Sequence, residues 1–133
     1  MIRASVIAAL VIVAAFAAAS AIWDNSSHAG EVPGGDAARG RASIIEFGCG
    51  TCHTIPGVTA AHGLVGPSLA DFARHAYVAG RLPNDPENVV RWIRFPQETD
   101  PGNAMPDLGV PELAARDITA YLYSIARPER AAS

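Results

Sequence analysis

The sequence predicts an all-α domain whose three main helices are joined by long loops, behind a hydrophobic N-terminal helix. Three segments, residues 36–47, 85–95 and 111–127, repeat apolar side chains at helical spacing after a capping aspartate or a proline. No segment alternates apolar and polar residues with the period of a strand. The loops exceed about 12 residues, a length that is unusual in a compact domain unless another group organises the loop.

Each helix has boundary residues of the expected chemistry. Asp36 and Asp85 can accept hydrogen bonds from the first free N–H groups of a helix, and Pro86 suits the first helical position. Pro96 ends the second helix and Pro111 begins the third, because a proline lacks the N–H that a helix interior requires. The apolar residues of the three helices are Ile44, Ile45, Phe47, Val89, Val90, Trp92, Ile93, Leu113, Ile118, Tyr121, Leu122 and Ile125.

The N-terminus carries the pattern of an export segment. Arg3 precedes residues 4–23, which contain no charged side chain. Residues 6–16 have the length of a signal-peptide core, and residues 19–21 fit its cleavage site. The same run is just long enough to span a bilayer and places Trp23 at the interface, as a signal anchor would.

Both interpretations of residues 1–23 put the domain on the periplasmic side of a bacterial inner membrane. We expect the N-terminal helix to be retained as an anchor, whereas cleavage near Ala21 would release a soluble periplasmic protein. Residues 24–35 are polar and glycine-rich and predict a flexible linker. The domain itself is expected over residues 36–127, followed by a short tail at residues 128–133.

The charge balance argues against a nucleic-acid partner. The chain has a formal net charge of −3 from 10 basic and 13 acidic residues, and every basic residue is an arginine. A surface that follows phosphates needs a basic patch, which the sequence does not show. We therefore expect no nucleic acid to bind, and we expect a neutral-to-acidic docking surface.

The strongest motif is C-x-x-C-H at Cys49, Cys52 and His53, which is typical of c-type haem attachment. Two cysteines at this spacing can each bond one vinyl group of the same haem, and the following histidine can then bind the iron. Two cysteines are too few for a disulfide scaffold or a four-cysteine zinc site. The motif predicts one covalent haem c. A thiol–disulfide exchange site is the alternative, although Pro56 and Gly57 follow where such a site would continue as a helix.

A second iron ligand is expected on the far side of the haem. Met105 is the only methionine beyond the first residue, lies in the second long loop and is the favoured ligand. His62 and His75 are the alternatives, while His28 lies in the predicted linker. Thioether ligation would raise the reduction potential relative to ligation by two histidines.

These residues resemble the class I, or mitochondrial-type, monohaem c-type cytochromes. The match consists of Gly40 with residues 48–53, followed in order by residues 66–69, 101–106 and 117–122. The resemblance implies the small cytochrome c fold, in which three main helices and long loops wrap around one haem.

The resemblance also implies roles for residues around the haem. The Pro67 carbonyl would accept a hydrogen bond from His53 and orient its ring, and Asn103 belongs to the methionine loop beside the haem. Trp92 would lie next to the haem on the methionine side, or would simply fill the core.

Two further features follow from the same family. Its first helix crosses its last helix with a glycine against an aromatic ring, which here would be Gly40 with Tyr121. Residues 80–106 are most similar to the cytochrome c domain that is fused to subunit II of some terminal oxidases.

The expected function is single-electron transfer in a respiratory chain. With His53 and Met105 filling both axial positions, the iron would have no open site for a small-molecule substrate, so the sequence predicts that the chain is not an enzyme. The expected donor is of the quinol–cytochrome c reductase type and the expected acceptor is a terminal oxidase. The apolar residues expected to form the docking rim are Ile55, Val58, Leu64 and Val65. The alternative is a fixed haem subunit or a sensor module of a larger membrane redox complex.

Overall fold

The structure, a computed structural model, describes residues 32–125. In chain order it contains α1 (Ala37–Glu46), a 3-10 turn (Cys49–Thr51), a second 3-10 turn (Phe72–Arg74), β1 (Tyr77–Val78), β2 (Leu82–Pro83), α2 (Pro86–Arg94), α3 (Pro96–Thr99) and α4 (Glu112–Ile125). The predicted export segment, most of the predicted linker and the predicted tail lie outside the described residues. Within residues 32–125, no helix combines the length and the apolar character needed to cross a membrane.

The helix boundaries predicted from the capping residues are confirmed. Asp36 and Asp85 each accept a hydrogen bond from the main-chain N–H three positions later, at 2.8 and 2.9 Å. Pro86 occupies the first turn of α2. Pro96 both stops α2 and begins the one-turn helix α3, because a proline suits a first helical turn but not a helix interior.

Helices α1 and α4 cross closely at Gly40. A Cβ at this position would overlap the main-chain carbonyl of Asp117 and crowd the main-chain nitrogen of Ile118, so the crossing requires a residue without a side chain. The expected pairing of Gly40 with Tyr121, one turn further along α4, stays a prediction. The Tyr121 hydroxyl donates a hydrogen bond to the Pro56 carbonyl at 2.7 Å and ties α4 to the loop after the cysteine motif.

A short hairpin adds strand structure that the sequence analysis did not predict. β1 and β2 pair antiparallel, with Val78 opposite Leu82. Ala79 and Gly80 both have positive φ, and the Arg81 N–H donates to the Val78 carbonyl at 3.0 Å, so residues 78–81 form a turn with the left-handed backbone that hairpin turns favour. Strands of two residues are too short to show an alternating pattern in a sequence.

Asn84 ties this hairpin to the core. Its side-chain amide donates to the carbonyls of Phe72 and His75 at 2.8 and 2.9 Å. Its side-chain oxygen accepts a hydrogen bond from the hydroxyl of Tyr123 on α4 at 2.9 Å. Burial, helped by the nearby Asp85 carboxylate, raises the pKa of Tyr123 to about 12, so this hydroxyl keeps its proton and remains a donor at neutral pH.

The C-terminal end of the predicted linker packs against α4. Val32 is buried, and the Gly35 N–H donates to its carbonyl at 2.9 Å. A Cβ at Gly35 would overlap the main-chain carbonyl of Arg116. The Asp36 N–H then donates to the carboxylate of Asp117 at 2.7 Å. Residues 32–35 therefore belong to the packed structure, although the sequence analysis placed them in the linker.

The core lies between α1, α2 and α4. Fully buried side chains include Ile44 on α1 and Val89 on α2. On the surface, Arg116 of α4 pairs with Glu87 of α2 at 2.8 Å. The main helices lie where the sequence predicts them and the short sheet adds to an all-α architecture, while membership of the cytochrome c fold stays a prediction.

Candidate cofactor site

An apolar cavity opens between α1, α2, α4 and the loop that follows α3. Its lining is predominantly apolar, as it is in most small-molecule and cofactor sites. The residues that line it are Ile44, Cys49, His53, Ile55, Leu69, Phe72, Val89, Trp92, Ile93, Met105, Leu108, Val110, Ile118 and Leu122. Cys49, His53 and Met105 are the members of this set whose side chains can attach or ligate a haem.

The cysteine motif begins where α1 ends. Gly48 has a φ of 69°, a left-handed conformation that glycine adopts without strain, and the chain then turns through Cys49–Thr51. Both thiols are half-buried and neither is in a disulfide. Burial, with a smaller contribution from Cys52, raises the pKa of the Cys49 thiol. A raised pKa works against the reactive thiolate that a thiol–disulfide exchange site requires.

The His53 ring is held by a hydrogen bond and by steric contact. Its Nδ1 lies 2.8 Å from the carbonyl oxygen of Pro67. Because a carbonyl can only accept, Nδ1 is the donor in this contact, and Nε2 is the ring nitrogen that can bind a metal. A Cβ at Gly66 would overlap the imidazole ring, so only glycine at this position leaves space for the ring.

Glycines also let the loop after the motif wrap around the cysteines. The Gly63 N–H donates to the Gly50 carbonyl at 3.0 Å, and the Gly66 N–H donates to the Cys52 carbonyl at 2.8 Å. A Cβ at Gly50 would overlap Ala61, and one at Gly63 would overlap the main chain of the motif. Residues 54–66, called the collar below, therefore wrap closely around the cysteine motif. At Gly50 and Gly63, where the two main chains meet, there is no space for a side chain.

Met105 lines the cavity from the loop after α3. Its main-chain N–H donates to the Asn103 side-chain oxygen at 2.7 Å, and its carbonyl accepts from Nε2 of Gln97 at 2.7 Å. The Asn103 side chain bonds only main-chain groups of this loop and of α3 in the described residues, and it does not line the cavity. The sequence analysis missed Gln97, whose role depends on a contact across the loop that no local pattern reveals.

The alternative ligands are placed differently. His62 and His75 are exposed and neither lines the cavity, whereas the half-buried Trp92 does. Trp92 therefore has a place in the wall of the cavity and also packs against the buried core. The structure thus brings together Cys49, His53, Trp92 and Met105, with Pro67 behind the histidine.

The predicted docking rim needs correction. Ile55 and Val58 are only 2% and 5% exposed, and both belong to the core, so the prediction that they form a docking rim is wrong. Leu64 and Val65 are 89% and 72% exposed, at the outer end of the collar beside the cysteine motif. Apolar side chains this exposed are available to a partner.

The residues present fit a haem better than a bare metal ion. Among residues 32–125, no group of three or more His, Cys, Asp or Glu side chains could hold a metal ion. One imidazole and one thioether are instead the pair of axial ligands used in cytochromes c. The apolar wall suits a large apolar ring, and Cys49 lies in that wall. Cys52 is half-buried, but it is not among the residues that line the cavity.

Comparison with known proteins links this chain to an oxidase subunit. The chain is 36% identical over 90 residues to cytochrome c oxidase subunit 2 of Alkalihalophilus pseudofirmus, a match that covers 65% of this chain and 25% of that protein. It is 34% identical over 65 residues to cytochrome c oxidase subunit 2 of Bacillus sp. strain PS3, covering 47% of this chain and 18% of that protein. The chain thus spans a quarter or less of the length of these curated relatives. No protein-family model and no solved structure matches it.

These relatives correct one expectation and support another. Both are named as a subunit of an oxidase, which is an enzyme, and this likeness contradicts the prediction that the chain is not an enzyme. The similarity is to cytochrome c oxidase subunit 2, and it supports a role in respiratory electron transfer. The broader likeness to class I monohaem cytochromes stays a prediction.

Proposed function

We propose that this chain is an electron-transfer domain of a respiratory oxidase system and that it holds one covalent haem c. The observation that carries this proposal is that Cys49, His53 and Met105 meet at one apolar cavity. Met105 lies far along the chain from the cysteine motif, so only the fold can bring these side chains together. The similarity to cytochrome c oxidase subunit 2 supports the respiratory setting.

Each residue of the site has a distinct task in this proposal. Cys49 and Cys52 would attach the haem through thioether bonds, and His53 would offer Nε2 to the iron while Pro67 holds the other ring nitrogen. Met105 would supply a thioether ligand to the iron. When bound, the haem supplies an iron that alternates between the ferric and ferrous states. The apolar wall excludes water and disfavours extra charge in the cavity, which together with thioether ligation favours the reduced state.

The relatives favour a tethered domain over a freely diffusing carrier. In them the matching segment is a quarter or less of a longer oxidase subunit. A domain held near its acceptor works at a high effective concentration, about millimolar for a short flexible linker. The proposed donor is of the quinol–cytochrome c reductase type, the acceptor is a terminal oxidase, and the location is the periplasmic face of the inner membrane, with residues 1–23 as the anchor. The alternative is a fixed haem subunit or sensor module of another membrane redox complex.

The proposal is tested by covalent haem and by metal content. The full chain, expressed with a c-type maturation system, should give a denatured band that stains for haem peroxidase activity and should contain one iron per chain. Cys49→Ser together with Cys52→Ser should remove the stain, whereas Ser68→Ala, an exposed change outside the motif, should leave it. A colourless band from folded, matured protein would overturn the proposal, and so would stoichiometric copper in place of iron.

A further inference from the structure

Gln97 holds the loop that carries Met105 through its side chain. The residue itself lies on α3, the one-turn helix between Pro96 and Thr99, and its side chain is half-buried. Pro96 is itself buried and anchors this turn in the core. The loop from residue 100 to residue 106 folds back over α3, so the Gln97 side chain faces the loop's main chain.

The Gln97 carboxamide is fully used by this loop. Its Nε2 donates to the carbonyl of Asn103 at 2.9 Å and to the carbonyl of Met105 at 2.7 Å. Its Oε1 accepts from the Gly102 N–H at 3.2 Å. Because two carbonyls need donors and one N–H needs an acceptor, only a carboxamide in this orientation satisfies all three groups.

The Asn103 side chain holds the same loop through three further hydrogen bonds. Its side-chain oxygen accepts from the Met105 N–H, while its Nδ2 donates to the carbonyls of Pro96 and Asp100 at 2.9 and 2.6 Å. Asp100 is in turn held by a salt bridge to Arg81 at 2.8 Å. Both polar main-chain groups of Met105 are therefore bound by side chains, and its thioether is left free to line the cavity.

We propose that Gln97 is a positioning residue for Met105, which fixes the main chain of the ligand loop so that the thioether stays at the cavity. The proposal rests on the haem site proposed above. Gln97 itself does not line the cavity, so it acts through Met105 and not on the cofactor. If Gln97 lost its two N–H donors, the loop would lose the hydrogen bonds at Asn103 and Met105 that hold the Met105 main chain in place.

The expected signature is weakened methionine ligation in a folded protein. Loss of both donors should favour an opened loop by about tenfold or more, which corresponds to about 1.4 kcal/mol and lies within the range expected for two lost hydrogen bonds. An external ligand such as imidazole competes with the thioether for the iron. Its apparent affinity should therefore rise by about the same factor, because the competing state is more populated.

The experiment uses the matured holoprotein of the full chain. Imidazole affinity and reduction potential are measured at 25 °C for the unaltered protein, for Gln97→Leu, and for Gln97→Glu, which keeps the acceptor but loses both donors. Glu98→Gln, an exposed change on the same short helix, is the matched control. We expect imidazole to bind about tenfold more tightly to both Gln97 variants, with a lower reduction potential, and within twofold of the unaltered protein for the control.

Several outcomes separate this inference from the proposed function. Unchanged imidazole affinity and potential in both Gln97 variants, in a protein that carries covalent haem, would overturn the role of Gln97 and leave the haem site standing. A lowered melting temperature with unchanged imidazole affinity would show a purely structural role and would also overturn it. A matured protein without covalent haem would overturn both proposals.

Discussion

At Met105 the main chain is fixed by neighbouring side chains while the thioether lines the cavity. This separation lets the loop hold its shape without using the sulfur atom that would ligate the iron in the proposed haem site. At His53 a similar division exists, since Nδ1 is bonded to the Pro67 carbonyl and Nε2 would be left for the iron. Both proposed ligands are therefore oriented by groups that are not themselves ligands.

Replacement of Met105 should change the reduction potential in a predictable direction. Met105→His should keep a six-coordinate, low-spin haem and lower the potential, because imidazole stabilises the ferric state more than a thioether does. Met105→Ala should give a changed visible spectrum and a haem that binds added imidazole. A redox titration followed by visible absorption measures both effects. An unchanged spectrum and potential in Met105→Ala would mean that His62 or His75 ligates the iron.

The crossing of α1 and α4 depends on the close approach at Gly40. In Gly40→Ala the new Cβ would overlap the Asp117 carbonyl, so the two helices must move apart. Overpacking of this kind costs about 1–3 kcal/mol, in spite of the better helix propensity of alanine. Denaturant unfolding of the holoprotein measures the loss. Glu46→Ala, at an exposed position of the same helix, should stay within about 0.5 kcal/mol of the unaltered protein, and an equal loss in both variants would refute the steric explanation.

The start of α1 is joined to α4 by an ion pair that makes stability depend on pH. Asp117 is only 3% exposed, and the hydrogen bonds from the Arg39 guanidinium, at 2.8 Å each, hold its pKa below the ordinary value. A carboxyl with a lowered folded pKa stabilises the protein above its unfolded pKa of about 3.9, and that contribution is lost as the pH falls through the folded pKa. Asp117→Asn should therefore lower stability at pH 7 by about 1–3 kcal/mol and flatten the acid limb of the stability curve.

Unfolding by denaturant between pH 2 and pH 7 measures this effect. Asp71→Asn is the control, because Asp71 is exposed and its pair with Arg74 at 3.5 Å lies on the surface, where ion pairs contribute little. We expect the acid limb of Asp71→Asn to match that of the unaltered protein. An acid limb in Asp117→Asn as steep as in the unaltered protein would show that other carboxyl groups set the pH dependence.

The elements that sequence reasoning found are those fixed by local chemistry. Asp36, Asp85 and Pro96 set helix boundaries through contacts with residues only a few positions away. Sequence analysis did not predict the hairpin after residue 76, because its two-residue strands carry no pattern of their own. It did not predict the role of Gln97 because the partners of Gln97 are main-chain groups of a loop whose path depends on the packing of α3.

The cysteine motif and Met105 could be predicted as site residues from the sequence because their chemistry is unusual. The sequence could not predict that Cys49, His53 and Met105 line one cavity, or that Ile55 and Val58 are buried. An apolar residue beside a motif faces the core or the solvent according to how the collar folds, and that depends on the close glycine contacts at Gly50 and Gly63.

Charge is distributed unevenly over the whole molecule. Residues 47–70, which include the cysteine motif and its collar, contain no acidic residue, arginine or lysine. Leu64 and Val65 are the most exposed large apolar side chains of this segment. This segment therefore supplies no acidic, arginine or lysine side chain to the face through which a haem at this site would meet a partner, and Arg41 of α1 lies against its edge, donating to the Gly57 carbonyl at 2.8 Å.

Electron transfer through this face should depend only weakly on salt. Attraction between charged faces accelerates association strongly at low ionic strength and is screened when salt is added, with a Debye length of about 8 Å at 0.15 M. A face with so little charge has little such attraction to lose, so the second-order rate should change by less than about twofold between low and physiological salt. The rate to an oxidase with an acidic, mitochondrial-type docking site should be lower than the rate to an acceptor with an apolar site.

Stopped-flow oxidation of the reduced holoprotein measures both rates. Leu64→Glu should slow transfer to the apolar acceptor, because association would bury a charge. Leu113→Glu is the matched control, since Leu113 is also exposed but lies on α4 outside the cavity wall, and it should leave the rate unchanged. A steep fall in rate with salt against the acidic acceptor would instead reveal a basic docking face and contradict the uncharged one. Equal slowing by both glutamate variants would place the docking surface away from Leu64, because a charge beside the proposed haem edge would then act no differently from one on α4.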